Sequence, residues 1–217
     1  MFEGSMVAIV TPFKKGKVDE KTLADLVEFH IKNGTSAIVP CGTTGESATL
    51  SYEEHDHVID VVIEATNKRV PVMAGTGSNN TSEAIMLTKH AKAKGADASL
   101  QITPYYNKPT QEGIYLHFKK IADEADIPLI VYNIQSRTGV NITPETMERL
   151  SKVKNIVGVK EASGNLEQMS RIQELCGDDF DLISGDDDMT LPVLKIGGRG
   201  VISVVANIAP KDTVELV

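Results

Sequence analysis

The run Ile156-Val157-Gly158-Val159-Lys160-Glu161-Ala162-Ser163-Gly164 sets one lysine inside an apolar, β-branched stretch. Read as a strand, alternation puts Gly158, Lys160 and Ala162 on one face and Val157, Val159 and Glu161 on the other. Small residues flank the amine on its own face, which leaves room beside it. An apolar setting disfavours the ammonium form, so the pKa of the lysine should fall. A neutral, positioned amine attacks carbonyl carbons and forms a Schiff base. On this stretch alone the better reading is a strand-end lysine whose stem covers apolar surface while its head reaches water. The rest of the chain reverses that preference.

Other residues able to do chemistry fall at comparable places. They are Gly42-Thr43-Thr44-Gly45-Glu46-Ser47, Thr103-Pro104-Tyr105-Tyr106-Asn107, Tyr132-Asn133 with Ser136-Arg137-Thr138-Gly139, and Ser184-Gly185-Asp186. Each closes a short apolar run. The runs predict eight strands, at 6–13, 37–42, 70–77, 98–105, 128–134, 156–162, 180–186 and 200–207. Amphipathic stretches alternate with them at about 19–35, 51–66, 79–94, 111–125, 144–152, 165–175 and 188–196. An eighth helix starts near Pro210 and reaches the chain end. Alternation of this kind means βαβ units on a parallel sheet, and eight units favour a (β/α)8 TIM barrel, one domain over 1–217, over an open sheet.

Local signals support the boundaries. Ser51-Tyr52-Glu53-Glu54 is a capping box, and Thr143-Pro144 an N-cap followed by proline at the first helical position. Gly34 and Gly95 stand where helices should stop, and Pro71 and Pro128 where strands should start. In such a barrel the chemistry sits at the carboxyl ends of the strands. One lysine, tyrosines, threonines and an arginine then share a mouth. That set suits carbonyl chemistry through an amine, with hydroxyls moving protons.

Composition narrows the classes. A net charge of −8 argues against nucleic-acid or anionic-membrane surfaces. Cys41 and Cys176 form neither a CxxC motif nor a disulfide framework, which suits a reducing cytoplasm. The start, Met1-Phe2-Glu3-Gly4-Ser5, lacks a basic signal-peptide region, and no apolar run approaches the roughly 20 residues of a membrane span.

The blocks Gly42-Thr43-Thr44-Gly45-Glu46, Thr103-Pro104-Tyr105-Tyr106-Asn107-Lys108-Pro109, Tyr132-Asn133 with Ser136-Arg137-Thr138-Gly139, and Val159-Lys160-Glu161-Ala162 resemble the signatures of the dihydrodipicolinate synthase family. This family belongs to the class I, pyruvate-dependent lyases that also include sialic acid lyase. The resemblance implies Schiff-base condensation of pyruvate with aspartate 4-semialdehyde on the route to diaminopimelate and lysine, without metal or organic cofactor. It implies that Lys160 carries the imine, Tyr132 is the acid/base, and Thr43 and Thr44 hold the keto-acid carboxylate and help pass protons. Tyr106 would complete a hydroxyl relay from a neighbouring subunit of a homodimer or homotetramer. Arg137 would bind the semialdehyde carboxylate, and Gly185 and Ile202 would line the pyruvate pocket. It further implies a lysine feedback site at Ser47, Ala48, His55, Asn79, Glu83 and Tyr105, with Tyr52 where inhibited relatives carry a second polar group.

The resemblance has two departures. Gln135 replaces a usual proline, so its loop is expected to be less stiff. The chain ends inside the eighth helix, where the family continues into further helices. Two other functions compete: a sibling aldolase for sialic acid or keto-sugar acids, sharing Lys160 and Tyr132, and a barrel core serving only folding or assembly.

Other motifs have plainer readings. His55-Asp56-His57 is expected on a solvated helix face, since i and i+2 side chains diverge. Asp187 and Asp188 are expected in a first helical turn, favoured by the macrodipole. Gly197-Gly198-Arg199-Gly200 precedes a strand and reads as a turn, and Gly75-Thr76-Gly77 is a weak dinucleotide motif.

Overall fold

The computed structural model describes residues 2–217, so Met1 lies outside the described residues. Strand β1 (Gly4–Ala8) is followed by a small hairpin, β2 (Phe13–Lys14) and β3 (Lys17–Val18), which the sequence pattern did not announce. Then come α1 (Glu20–Lys32), β4 (Ala37–Val39), α2 (Tyr52–Thr66), β5 (Met73–Gly75), α3 (Thr81–Lys94), β6 (Ala98–Ile102) and α4 (Gln111–Ala125). The second half runs β7 (Leu129–Asn133), α5 (Gln135–Thr138), α6 (Pro144–Ser151), β8 (Ile156–Glu161), α7 (Leu166–Cys176), β9 (Asp181–Ser184), α8 (Thr190–Lys195), β10 (Gly200–Ser203) and α9 (Pro210–Leu216).

The large sheet has eight strands in the order β4-β1-β10-β9-β8-β7-β6-β5, and all its pairings are parallel. A parallel bridge between Ile38 and Val72 joins its two ends and closes the ring. The alternation of strand and helix thus resolves into a TIM barrel, as expected. Met6, Val39, Met73, Leu100, Ile130, Ile183 and Ile202 fill the interior. Val131, Val159 and Leu182 face outward, where Ile114, Phe118, Ile121, Met147 and Ile172 from the helices cover them. Phe118 is fully buried, so truncation to alanine there should cost about 3–5 kcal/mol.

The capping signals form as read. Ser51 accepts from the Glu54 N–H at 3.1 Å while the Glu54 carboxylate accepts from the Ser51 N–H at 3.0 Å. Thr143 caps α6, with Pro144 at its start. Gly95 ends α3 at φ +101°. Strands are shorter than expected at their carboxyl ends, where the connecting loops begin. At β5, a Cβ on Gly75 would lie 2.2 Å from the Cys41 carbonyl oxygen. The loop after β4 therefore rests directly on β5, an approach only glycine permits. No helix among the described residues is long and apolar enough to cross a membrane.

Candidate active site

Lys160 and Tyr132 are register partners on β8 and β7. Alternation turns both into the barrel, and the Lys160 Nζ lies 4.2 Å from the centroid of the Tyr132 ring. Both side chains are nearly sealed, at 5% and 6% exposure. Burial lowers the Lys160 amine to about 8, against the pull of Asp186 and Asp187 and with some help from Arg137. An amine at 8 supplies roughly 300-fold more neutral nucleophile at pH 7 than one at the ordinary 10.5. Burial raises the Tyr132 phenol to about 12, while Arg137 and hydrogen bonding to Thr43 draw it down. The site thus joins a reactive amine to a phenol that keeps its proton at neutral pH.

The remaining expected residues divide by distance from this pair. Gly185 is in contact: a Cβ there would meet the Lys160 Cε at 3.1 Å and the Ala162 Cβ at 2.7 Å, so only glycine leaves the amine its place. Ile202 is fully buried inside the barrel. Thr43 lines a small cavity of about 30 Å³ with Tyr132, Gly42 and Gly77. Thr44 follows on the same loop, half-buried. Arg137 sits on the single turn α5, within electrostatic reach of Lys160 and Tyr132.

Tyr106 stands apart. Strand β6 ends at Ile102, so Tyr105 and Tyr106 belong to a loop and do not alternate on a strand as expected. Tyr106 is 89% exposed and held at φ +68°, in the left-handed region that a bulky side chain rarely adopts.

A larger cavity of about 540 Å³ opens beside the mouth. Ser47, Ala48, Tyr52, His55, Glu83 and Tyr105 line it together with Thr43 and Arg137. Asn79 stands at its edge and donates to the Tyr105 carbonyl at 3.2 Å. Ser78 donates to Glu83 at 2.8 Å, fixing one carboxylate in the cavity wall. The residues grouped as a feedback site are therefore neighbours in space.

One histidine expectation needs correction. His55 is not on a solvated face: it is 5% exposed, and its Nε2 meets the Gly75 carbonyl at 2.9 Å. His57, two residues on, is exposed and pairs with Glu20 at 2.9 Å. The pattern missed this because α2 leans its first turn onto β5. Asp188 and Asp187 stand, as expected, in a first helical turn, the 3-10 turn Asp187–Met189 that leads into α8, and Asp187 also bonds beyond it. Its carboxylate accepts from the Ser203 hydroxyl and from the N–H groups of Val204 and Val205, at 3.1 and 3.2 Å, tying the loops after β9 and β10 together. Asp186 stood among the strand-end residues read from the sequence, with no role assigned to it. Its carboxyl faces Lys160 and Arg137 electrostatically, and burial with neighbouring Asp188 pushes it above the usual range. Its position, just past the end of a barrel strand, was the available signal.

Comparison with known proteins agrees with this geometry. A model described as the Dihydrodipicolinate synthetase family matches residues 1–217. A 4-hydroxy-tetrahydrodipicolinate synthase of Syntrophus aciditrophicus is 63% identical over 217 residues, covering 100% of this chain and 75% of the relative. The chloride-inhibited dihydrodipicolinate synthase of Acinetobacter baumannii, solved in complex with pyruvate, superposes with a TM-score of 0.97 at 51% identity, over 100% of this chain and 75% of that one. The enzyme of Cyanidioschyzon merolae, solved with lysine bound, superposes with a TM-score of 0.94 at 46% identity, over 98% of this chain and 73% of that one. With a match along its whole length, a closed barrel and a buried lysine at its mouth, this chain belongs to the dihydrodipicolinate synthetase family.

Proposed function

We propose that this chain condenses pyruvate with aspartate 4-semialdehyde to give 4-hydroxy-tetrahydrodipicolinate, a lyase reaction of lysine and diaminopimelate biosynthesis. The observation that carries the reading is the Lys160 amine, nearly sealed, lowered to about 8, and set over the Tyr132 ring. Lys160 adds to the keto carbon of pyruvate and loses water to form an imine. The imine withdraws electrons, a methyl proton leaves, and the resulting enamine attacks the aldehyde. The amine of the second substrate then displaces Lys160 and closes the ring. The lysine itself supplies the electron sink, so the reading assigns no metal and no organic cofactor.

Tyr132 serves as acid/base at the imine, with Thr43 next in a hydroxyl relay, and Thr44 holds the keto-acid carboxylate. Gly185 and Ile202 shape the pyruvate pocket. Arg137 takes the carboxylate of the semialdehyde at the outer mouth, a short charged partner that suits it better than the polyols of sibling aldolases. Tyr106 completes the relay of a second copy of the chain, which makes the working form a homodimer or a larger homo-oligomer. Its exposure and left-handed backbone support that role. The cavity lined by Ser47, Ala48, His55, Glu83 and Tyr105 takes lysine as an inhibitor, with Asn79 at its rim. The setting is cytoplasmic.

The test is borohydride reduction in the presence of pyruvate, followed by mass analysis. One pyruvyl unit should appear on Lys160, and Lys160→Ala should carry none. The trapping rate should rise with pH through about 8, as the amine loses its proton, and then level off. A label on a different lysine would sink the mechanism.

A further inference from the structure

Behind the Lys160–Tyr132 pair lies a second pair on the outer face of the same strands. Glu161 and Asn133 are the next register partners along β8 and β7. Each is the last residue of its strand, and both are fully buried. The Asn133 amide nitrogen donates to the two carboxyl oxygens of Glu161 at 3.2 and 3.0 Å. The Ser163 N–H and the Gln168 Nε2 donate to the same carboxyl at 3.0 and 3.3 Å. All four contacts are donors from neutral groups. A carboxyl so surrounded acts as an acceptor, and the donors oppose the upward push that burial gives it.

The network reaches further than the pair. The Asn133 Oδ1 accepts from the Ile142 N–H at 3.0 Å, and its Nδ2 donates to the Asn141 Oδ1 at 2.9 Å. Asn141 and Gln168 exchange hydrogen bonds of 2.8 and 3.1 Å. The loop that carries Arg137 leaves from Asn133 and is therefore pinned back to it at Ile142. In the backbone, Ala162 donates to the Asn133 carbonyl at 2.9 Å and Gly185 to the Glu161 carbonyl at 2.8 Å. The side chains thus take over where the strand ladder runs out, behind the two residues whose mutual geometry matters most.

A carboxyl with no cationic partner is an expensive way to fill this layer, and apolar residues of similar size would serve stability as well. What a fully satisfied polar network adds is a single arrangement. We infer that Glu161 and Asn133 are positioning residues, which clamp the ends of β8 and β7 so that the Lys160 amine and the Tyr132 phenol meet the keto acid in one geometry. Neither touches the reacting atoms. The inference rests on the Lys160 imine proposed above.

Two variants test it. Glu161→Gln keeps the shape but turns an NH2 toward groups that are themselves donors. Asn133→Leu removes the central donor and keeps the volume. Each is assayed by borohydride trapping with pyruvate across pH, beside thermal unfolding. For either variant that folds, the plateau rate of trapping should fall about tenfold with its pH midpoint unmoved, since the clamp sets geometry and not the amine's charge. The double variant should be no worse than the poorer single one. A plateau equal to the unaltered chain's would overturn the inference, and so would a shifted midpoint, which would make the carboxyl's role electrostatic. Failure of the unaltered chain itself to be trapped would instead overturn the imine reading, so the two failures are distinguishable.

Discussion

Residues carried on strands and residues carried on loops reach this site by different physics. Lys160 and Tyr132 stand on paired strands, where register and alternation fix their direction to within a rotamer. Thr43, Arg137 and Tyr106 stand on connections, where the backbone has no ladder to hold it. Each loop has its own substitute. The Thr43 loop lies against Gly75 and passes through Cys41 at φ +54°. The Arg137 loop winds into the turn α5 and is pinned to Asn133 at Ile142. The Tyr106 loop holds two left-handed residues, Tyr106 and Lys108, and is tied to Asn79 through the Tyr105 carbonyl and the Asn107 side-chain amide, at 3.2 Å each. Strand residues thus take their direction from within one chain, whereas the role proposed for the most exposed loop residue calls for a second copy.

The largest test of that contrast sets Tyr132→Phe against Tyr106→Phe. Both should lose about 10²–10⁴-fold in turnover, the range for a positioned proton-transfer group. Only Tyr106→Phe should be repaired by mixing: combined with Lys160→Ala under exchanging conditions, it should regain one working site per mixed dimer. Mixed dimers that form yet stay inactive would show that the loop tyrosine belongs to no shared site.

Arg137→Ala should have an intermediate effect. Loss of one charge-assisted hydrogen bond should cost roughly 1.5–3 kcal/mol of apparent affinity for the semialdehyde. Trapping with pyruvate should survive. Equal damage to both substrates would mean that the loop arginine also organises the strand-held pair.

Gln135→Pro should give the smallest change. Gln135 is the first residue of α5, and Ile134 before it, at φ −143° and ψ 85°, lies outside the α region that a following proline disfavours. Stiffening the loop there should add about 0.4–1 kcal/mol to stability by restricting the unfolded chain. Denaturant unfolding measures it. Destabilisation instead would show that this turn tolerates less than its backbone suggests.

Much of the fold was legible because a parallel barrel is written in periodicity. Runs such as Ile130-Val131 and Ile183 between polar strand ends leave few alternatives, and Ser51 with Glu54 or Thr143 with Pro144 mark helix starts through local bonds alone. The hairpin β2–β3 and the turn α5 were not legible, since two residues per strand and a single helical turn carry no period. His55 misled for a related reason: its polarity says surface, while its burial depends on where α2 lands on β5.

The sequence by itself determined the barrel, the inward face of Lys160 and the grouping of hydroxyls at strand ends, because alternation and capping are properties of neighbours along the chain. It also carried the family, through motifs that need no coordinates. Tertiary structure alone decided how those parts act on one another. Burial under Tyr132 brings the Lys160 amine to about 8, and Gly185 leaves it room. Asp186 joins the mouth, and Asp187 ties the loops after β9 and β10. Glu161 finds its donors on β7 and α7. Desolvation and hydrogen bonding depend on groups far apart in sequence, and only the closed barrel brings those groups within a few ångströms of each other.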